Sequence, residues 1–372
     1  MAIRITEVRT GAEITRFIRL PWKIYRGDGN WVPPLLAERR AFIDPHRNPF
    51  FEHSDVGLFL ASDETGGEVG RIAAIVNHNH VKTHNERVGF FGLFESVNRP
   101  DVAKALLDAA AVRLRSQGME IMRGPENMSV NDDVGLLVKG FDSPPTFMMP
   151  YNPPYYETLL EACGGMGIMD IYAYTGETDG TIPDRLQRTV DMLRKRHQFT
   201  VRTIDLKHFQ TELKRIRQIY NEAWEKNWGA VAMTDREFDY LAKDLKSVLD
   251  PGFCLIAEAG GKAVGFSLAL RDYNQALIRM NGRLFPFGFL KLLYYRRRID
   301  AVRIITLGVL PEYRRMGIDA AFIYETYKHG ISKGIYRGEM SWVLAVNTPM
   351  NNLLARLGYE RAKTYRLYDY RL

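Results

Sequence analysis

Cysteine is scarce: the 372 residues hold two, Cys163 and Cys254. That excludes a disulfide framework and a four-cysteine zinc site, and it fits a reducing compartment, so a cytoplasmic protein is expected. No apolar run is long enough to span a bilayer. The first seven residues, MAIRITE, alternate like a strand and carry no apolar block, which argues against a secretory leader. Neither a P-loop nor a lipase-type serine elbow occurs. His78, His80 and His84 are close in sequence, and a strand would put His78 and His80 on one face. No carboxylate or cysteine pattern accompanies them, so no metal is expected.

What is present is ordinary for a globular protein, with 46% hydrophobic and 26% charged residues. The length predicts two domains. The formal charge is +7, and residues 282–337 alone, with eleven basic and four acidic side chains, carry an equal excess. Such a segment suits a nucleic acid, an anionic membrane or a phosphorylated cofactor, or is simply a solvated face.

The chain repeats itself at an offset of 194. Residues 58–62 (LFLAS) and 66–72 (GGEVGRI) read as strand, turn and strand, matched by 254–258 (CLIAE) and 260–266 (GGKAVGF). The helix end 159–164 (LLEACG) matches 353–358 (LLARLG), each with glycine at the position just past the helix. An aromatic strand follows each, 170–174 and 364–368. Three matches in register predict a duplicated α/β fold, each half a mixed sheet flanked by helices. In the first half the third strand ends near Val97 and Pro100 opens a helix with Val102, Leu106 and Ala110 on one face. In the second the third strand is 302–309 and the helix 319–333, with Ile323, Tyr327 and Ile331 as its apolar stripe. The aperiodic, turn-rich stretch 175–183 reads as a linker, followed by a charged helix over about 184–197. The domains are then 1–174 and 200–372, joined by a linker and helix over 175–199.

The most informative stretch is 307–321, LGVLPEYRRMGIDAA. A strand runs into a basic, glycine-containing loop that opens a helix, and free amides at a helix N-terminus suit a pyrophosphate. Arg314 and Arg315 add charge there, and glycine at 317 permits close approach of the backbone. The stretch resembles the acyl-CoA loop of the GCN5-related N-acetyltransferase (GNAT) superfamily, Gln/Arg-x-x-Gly-x-Gly/Ala. Arg314, Gly317 and Asp319 fall on that pattern, and Asp319 departs from its small last residue. The likeness continues through the strand 339–346, Asn347, and the closing helix and strand start 354–359 (LARLGY). It implies two tandem acyl-CoA N-acyltransferase-like domains. Where the first half would carry the loop it reads ESVNRPD (95–101), without glycine and with a proline that removes an amide donor. One acyl-CoA site is therefore expected, in the second half. The resemblance places acetyl-CoA or another acyl-CoA on Leu307, Gly308, Val309, Arg314, Arg315, Met316, Gly317, Ile318, Asp319, Ala320 and Asn347. A capping or turn role for Asn347 is an equal alternative.

The resemblance also implies direct attack of an amine on the thioester, which needs a free amine, an oxyanion donor and a proton for the leaving thiolate. A backbone amide near Val309 suits the oxyanion. The tyrosine that often supplies the proton is replaced by Leu354, which leaves Tyr313, Tyr359 or water. For the acceptor, Trp224, Asn227 and Trp228 lie where relatives line the cleft, although tryptophans in that place also serve simply as packing. The polar loop 124–133 of the first half, with Asn131, and the run 143–156 are long for connectors. Residues 283–298 (RLFPFGFLKLLYYRRR) form an aromatic block ending in three arginines. This block fits a lid over an acyl chain, a membrane-surface helix, or a buried interdomain or dimer contact. The function expected is transfer of an acetyl or longer acyl group to a small amine or amino-acid-type acceptor. The alternatives are an aminoacyl-tRNA-dependent transferase of tandem GNAT type and a non-catalytic CoA-binding relative. Nucleic acid is not the expected partner, because aromatic and basic residues do not interleave. The oligomeric state is not readable.

Overall fold

The structure, a computed structural model, describes residues 3–225 and 227–372. Met1 and Ala2, part of the expected first strand, lie outside the described residues, as does Lys226. The chain divides into two compact units. One holds the residues up to Ile171 together with Ala276–Leu293 and Lys363–Leu372. The other holds Tyr172–Gln275 and Tyr294–Ala362.

In the first unit the strands Arg4–Glu7, Ser54–Ser62, Glu68–Asn77 and Val88–Ser96 pair antiparallel in that order. The helix Pro100–Ser116 starts on proline, which costs nothing where the first amides have no helical partner. It buries Val102, Leu106 and Ala110 on the sheet, the stripe that the sequence spacing predicts, and Leu114 after them. The chain then returns parallel as Ile121–Gly124, and the last ten residues close on it antiparallel. On the opposite face Phe17 and Ile18 of the helix Gly11–Arg19, which carries a Thr10/Glu13 capping box, pack with Phe42 and Phe50. A buried polar knot joins these layers: Arg71 donates to the carbonyl of Phe17 at 2.7 Å and to Glu95 at 3.4 Å, while Tyr156 donates to Glu95 at 2.7 Å.

Two local expectations change. Residues 175–177 continue the strand Met166–Glu177, so the turn-rich stretch begins only after it. His78–His84 is a helix instead of a strand, because the Asn77 side chain caps it by accepting from the amides of Asn79 and His80. His78 reaches Asp55 at 2.9 Å, whereas His80 is buried against His84 and Phe90, and burial pushes its imidazolium down to about 3. Among the described residues no cluster of metal-ligating side chains forms.

In the second unit the strands Phe199–Thr203, Cys254–Ala259, Lys262–Arg271 and Ala301–Val309 are antiparallel neighbours, and Arg337–Leu344 lies parallel to the last. The helices Asp184–His197, Ile318–Ser332 and Thr348–Arg356 cover one face through Val190, Phe322 and Leu354. The helices Phe209–Trp224 and Asp235–Leu245 cover the other through Ile216, Ile219 and Phe238.

Each unit thus contains a parallel pair reached over a helix, and in the first unit that pair is filled by its own chain. Its ladder has three rungs, Val88 with Ile121 to Phe90 with Arg123, and then ends. Beside the continuing strand lies Glu126–Asn127, paired with Asp133–Val134. Asn127 Oδ1 accepts the Leu93 amide at 2.6 Å. Gly92 faces Glu126 so closely that a Cβ there would stand 2.1 Å from its carbonyl oxygen. Glu126 itself is buried, and desolvation raises its carboxyl from 4.5 to about 8, with Arg123 opposing and Asp132 reinforcing the shift. A carboxyl raised on folding adds stability in full below about 4.5, and that stability is lost as pH climbs to about 8. Glu126→Gln is expected to leave the urea midpoint nearly unchanged at pH 5, and to gain on the order of 1–3 kcal/mol over the parent at pH 9.

Candidate functional site

The second unit has the same break in its parallel pair. Four rungs join the strands, from Ala301 with Arg337 to Ile304 with Met340. Beyond them the two strands run on to Val309 and Leu344 without pairing to each other, while the far edge of Ala301–Val309 stays zipped to Lys262–Arg271 as far as Val309 with Gly265. A buried knot sits where they part. Arg303 donates to the Ser341 hydroxyl at 2.7 Å and to the Ser341 carbonyl at 3.2 Å, and that hydroxyl donates to Glu339 at 2.7 Å. All three side chains are buried, and the Ser341 hydroxyl bridges the guanidinium to the Glu339 carboxyl at the point where the strands diverge. The sequence reading missed this trio, whose signal was only a charged residue at alternate positions of two apolar strands.

The strand ends in the turn Pro311–Met316. Gly317 then takes a left-handed conformation, φ 76°, and the helix Ile318–Ser332 begins. Among the described residues the amides of Gly317 and Ile318 have no acceptor within the chain. They point from a helix N-terminus, where the dipole favours an anion. Asp319 occupies part of this end: its carboxylate accepts the Ala320 amide at 2.9 Å and its own amide, and burial, the larger effect, raises its pKa.

Two loop residues act differently from expectation. The Arg314 guanidinium is spent on the protein, donating to the carbonyls of Val309 at 3.2 Å and Ala223 at 2.7 Å. Arg315, exposed like Arg314, is the other cation of the turn. The room made by glycine at 317 is taken by Leu193, since a Cβ would lie 2.4 Å from its Cδ1. Glycine is therefore required by the neighbouring helix as well as by φ.

Of the remaining candidates, Leu307, Met316 and Tyr313 pack half-buried on the core beneath the turn, together with buried Val309, Ile318 and Ala320. Gly308 lies under Trp224, whose ring would meet a Cβ there at 2.4 Å. Trp224 packs at a tilt against Tyr220 and edge-on against Phe266, with centroids 4.7 and 5.7 Å away, so packing is part of its role. Asn227 closes the turn after its helix through backbone bonds to Trp224 and Ala230, and Trp228 beside it is half-buried. Asn347 caps the helix Thr348–Arg356 by accepting the Met350 amide at 3.3 Å. Leu354 is fully buried. Tyr359 is buried too, donating to Tyr327, and burial raises its phenol well above the usual range. Asn131 belongs to the first unit, where its amide bonds to Ser129 Oγ.

The fourth and fifth strands of this sheet thus part beside an amide-bearing turn. The sequence profile of the acetyltransferase (GNAT) family matches residues 213–359. Protein YghO of Escherichia coli (strain K12) is 35% identical over 365 residues, covering 96% of this chain and 92% of that protein. The bacterial ceramide synthase of Caulobacter vibrioides is 35% identical over 377 residues, 99% and 97% of the two chains. The chain belongs to the GNAT family. Among solved structures, a tandem GNAT protein from the clavulanic acid biosynthesis pathway superposes with a TM-score of 0.58 at 11% identity, covering 100% of this chain and 98% of that one. A GNAT protein of Sphaerobacter thermophilus gives 0.55 at 14%, covering 99% and 95%. The fold is therefore that of two tandem GNAT domains with mixed sheets, as the repeat predicts.

The contact between Gly317 and Leu193 is directly testable. Gly317→Ala is expected to cost about 1–3 kcal/mol by urea denaturation, from the left-handed backbone and the overlap together. In a Leu193→Ala background the same substitution should cost at least about 0.5 kcal/mol less, because only the backbone part remains.

Proposed function

We propose that this GNAT protein is an acyl-CoA-dependent N-acyltransferase, moving an acetyl or longer acyl group to a small amine or amino-acid-type acceptor by direct attack. The observation that carries the reading is the continuity of the parted strand edge, residues 305–309, with the turn whose Gly317 and Ile318 amides are unpaired. Unpaired amides at a helix N-terminus, with exposed Arg315 beside them, suit the diphosphate of coenzyme A. The open edge supplies amides and carbonyls in the spacing of a strand, which suits the amide-bearing pantetheine arm lying along it.

In the reaction the amine nitrogen forms a bond to the acyl carbon while the carbon–sulfur bond breaks. The amine loses one proton and the departing sulfur takes up one. A backbone amide near Val309 holds the carbonyl oxygen as charge builds on it. Leu354 offers no proton, and Tyr359 is enclosed with Tyr327. That leaves Tyr313 or water as the donor to sulfur. Arg314 acts through the backbone, tying the turn to the end of the helix Phe209–Trp224. Ceramide is an N-acylated long-chain amino alcohol, so the likeness to a protein named bacterial ceramide synthase supports the longer acyl choice and an apolar amine.

Saturation with the right acyl-CoA, at about 100 times the dissociation constant, should stabilise the protein by roughly 2.7 kcal/mol. A series of acetyl-, medium- and long-chain CoA in a thermal-shift assay, followed by thiol release over amines of graded chain length, tests both halves of the proposal. No shift with any of them sinks the reading. A shift without turnover leaves a CoA-binding relative, and salt-steep tRNA binding without a shift leaves the aminoacyl-tRNA alternative. Asp319 gives a second handle. Its carboxylate competes with phosphate for the amides, so acyl-CoA should bind more tightly as pH falls towards its raised titration range. Asp319→Ala should tighten binding by about tenfold and flatten that dependence.

A further inference from the structure

Residues 273–299 contain six Lys and Arg and neither Asp nor Glu. Within them the turn and helix around Gly288–Tyr295 present large apolar side chains outward: Phe285 is 81% exposed, Phe287 68%, Leu290 60%, Tyr294 53% and Phe289 50%. Those five account for nearly half of the large hydrophobic residues that the described chain exposes, and they fall within ten consecutive positions. Scattered exposed hydrophobics are normal, but a contiguous block is not.

The projection is held at its base. Trp22 donates its indole N–H to Asn281 at 2.8 Å, and the Leu36 amide bonds to the Gly282 carbonyl at 3.0 Å. Gly282 sits so close to Trp22 and the Pro34 carbonyl that a Cβ would meet them at 2.4 and 2.7 Å. Gly288 lies on the carbonyl of Arg283, where a Cβ would stand at 1.9 Å, and the Phe289 amide bonds to Leu284 at 2.7 Å. The apolar tip therefore stands on an anchored base. Interspersed with it or following it along the chain are Arg283, Lys291, Arg296, Arg297 and Arg298, all exposed. The Arg298 guanidinium lies over the Tyr294 ring, 4.3 Å from its centroid.

We propose that this projection docks the protein on an anionic lipid surface, with the phenylalanines and Leu290 entering the headgroup boundary and the arginines meeting lipid phosphates. Aromatic and aliphatic tips with a cationic rim and no acidic residue are the composition of an interfacial segment. Each cation near an anionic leaflet contributes about fivefold in partitioning. A nucleic acid would engage the arginines and leave the apolar tip in water, and a protein partner would have to match both features. The inference goes beyond acyl transfer and does not need it.

Co-sedimentation of the full-length protein, without acyl-CoA, with vesicles of phosphatidylcholine plus phosphatidylglycerol and of phosphatidylcholine alone is the test. Binding is expected to the mixed vesicles and to weaken with salt. Arg296→Gln/Arg297→Gln/Arg298→Gln should lower it by about tenfold or more, and Phe285→Ser/Phe287→Ser/Phe289→Ser should abolish it. Both variants should keep the parent's circular dichroism and melting temperature, because the altered side chains lie outside the core. Absence of the wild-type chain from the mixed-vesicle pellet would overturn the proposal, as would undiminished binding by the phenylalanine variant. A wild-type dimer that becomes monomeric in the phenylalanine variant, with no vesicle binding, would reassign the face to contact between copies.

Discussion

Two parallel strands that stop pairing with each other before they end open a gap between them, and the second unit is organised around that gap. Buried or half-buried peptide groups must be satisfied by something. The knot of Arg303, Ser341 and Glu339 fixes where the ladder stops, at the rung after Arg303 with Glu339. Beyond that point the strand carries an open edge to Val309, and the next turn delivers the amides of Gly317 and Ile318 to the same end of the sheet. Charge at the apex, open backbone along the edge and a helix N-terminus at the mouth form one arrangement, each part meaningful only because the strands diverge.

In the first unit the equivalent gap is closed from within. Asn127 takes the donor of Leu93, and the backbone of Glu126 lies on Gly92. The helix after the strand opens with proline in place of a glycine turn. An intramolecular segment meets no translational cost of association, so an external molecule competes with it poorly. The two copies share an architecture and differ in whether the chain completes its own edge.

Much of this was legible in the sequence wherever the signal was local. The 3.6-residue stripe gave the helix Pro100–Ser116, glycine after LLEAC and LLARL marked two helix ends, and the offset of 194 gave the duplication. Long-range contacts were not legible. Arg314 beside Arg315 reads as a pair of phosphate ligands, and only the fold shows that one of them bonds to the end of a distant helix. Gly317 reads as clearance for a ligand until Leu193 is seen to fill it. The histidines at 78–84 took the helical option because Asn77, adjacent in sequence, satisfies the first amides. The block 283–298 was undecidable because an aromatic run has the same composition whether it faces protein or water. Its exposure is a property of the residues that surround it.

The Arg314 crossbar has a mechanical consequence. One planar guanidinium joins the last carbonyl of a sheet strand to the carbonyl of Ala223 near the end of the helix Phe209–Trp224. Strand terminus, turn and helix terminus are thereby triangulated. The direction of the turn's amides is settled during folding and does not have to be rebuilt whenever something arrives or departs. A displacement at the helix end would be felt at the turn with little slack, through a linkage two hydrogen bonds long.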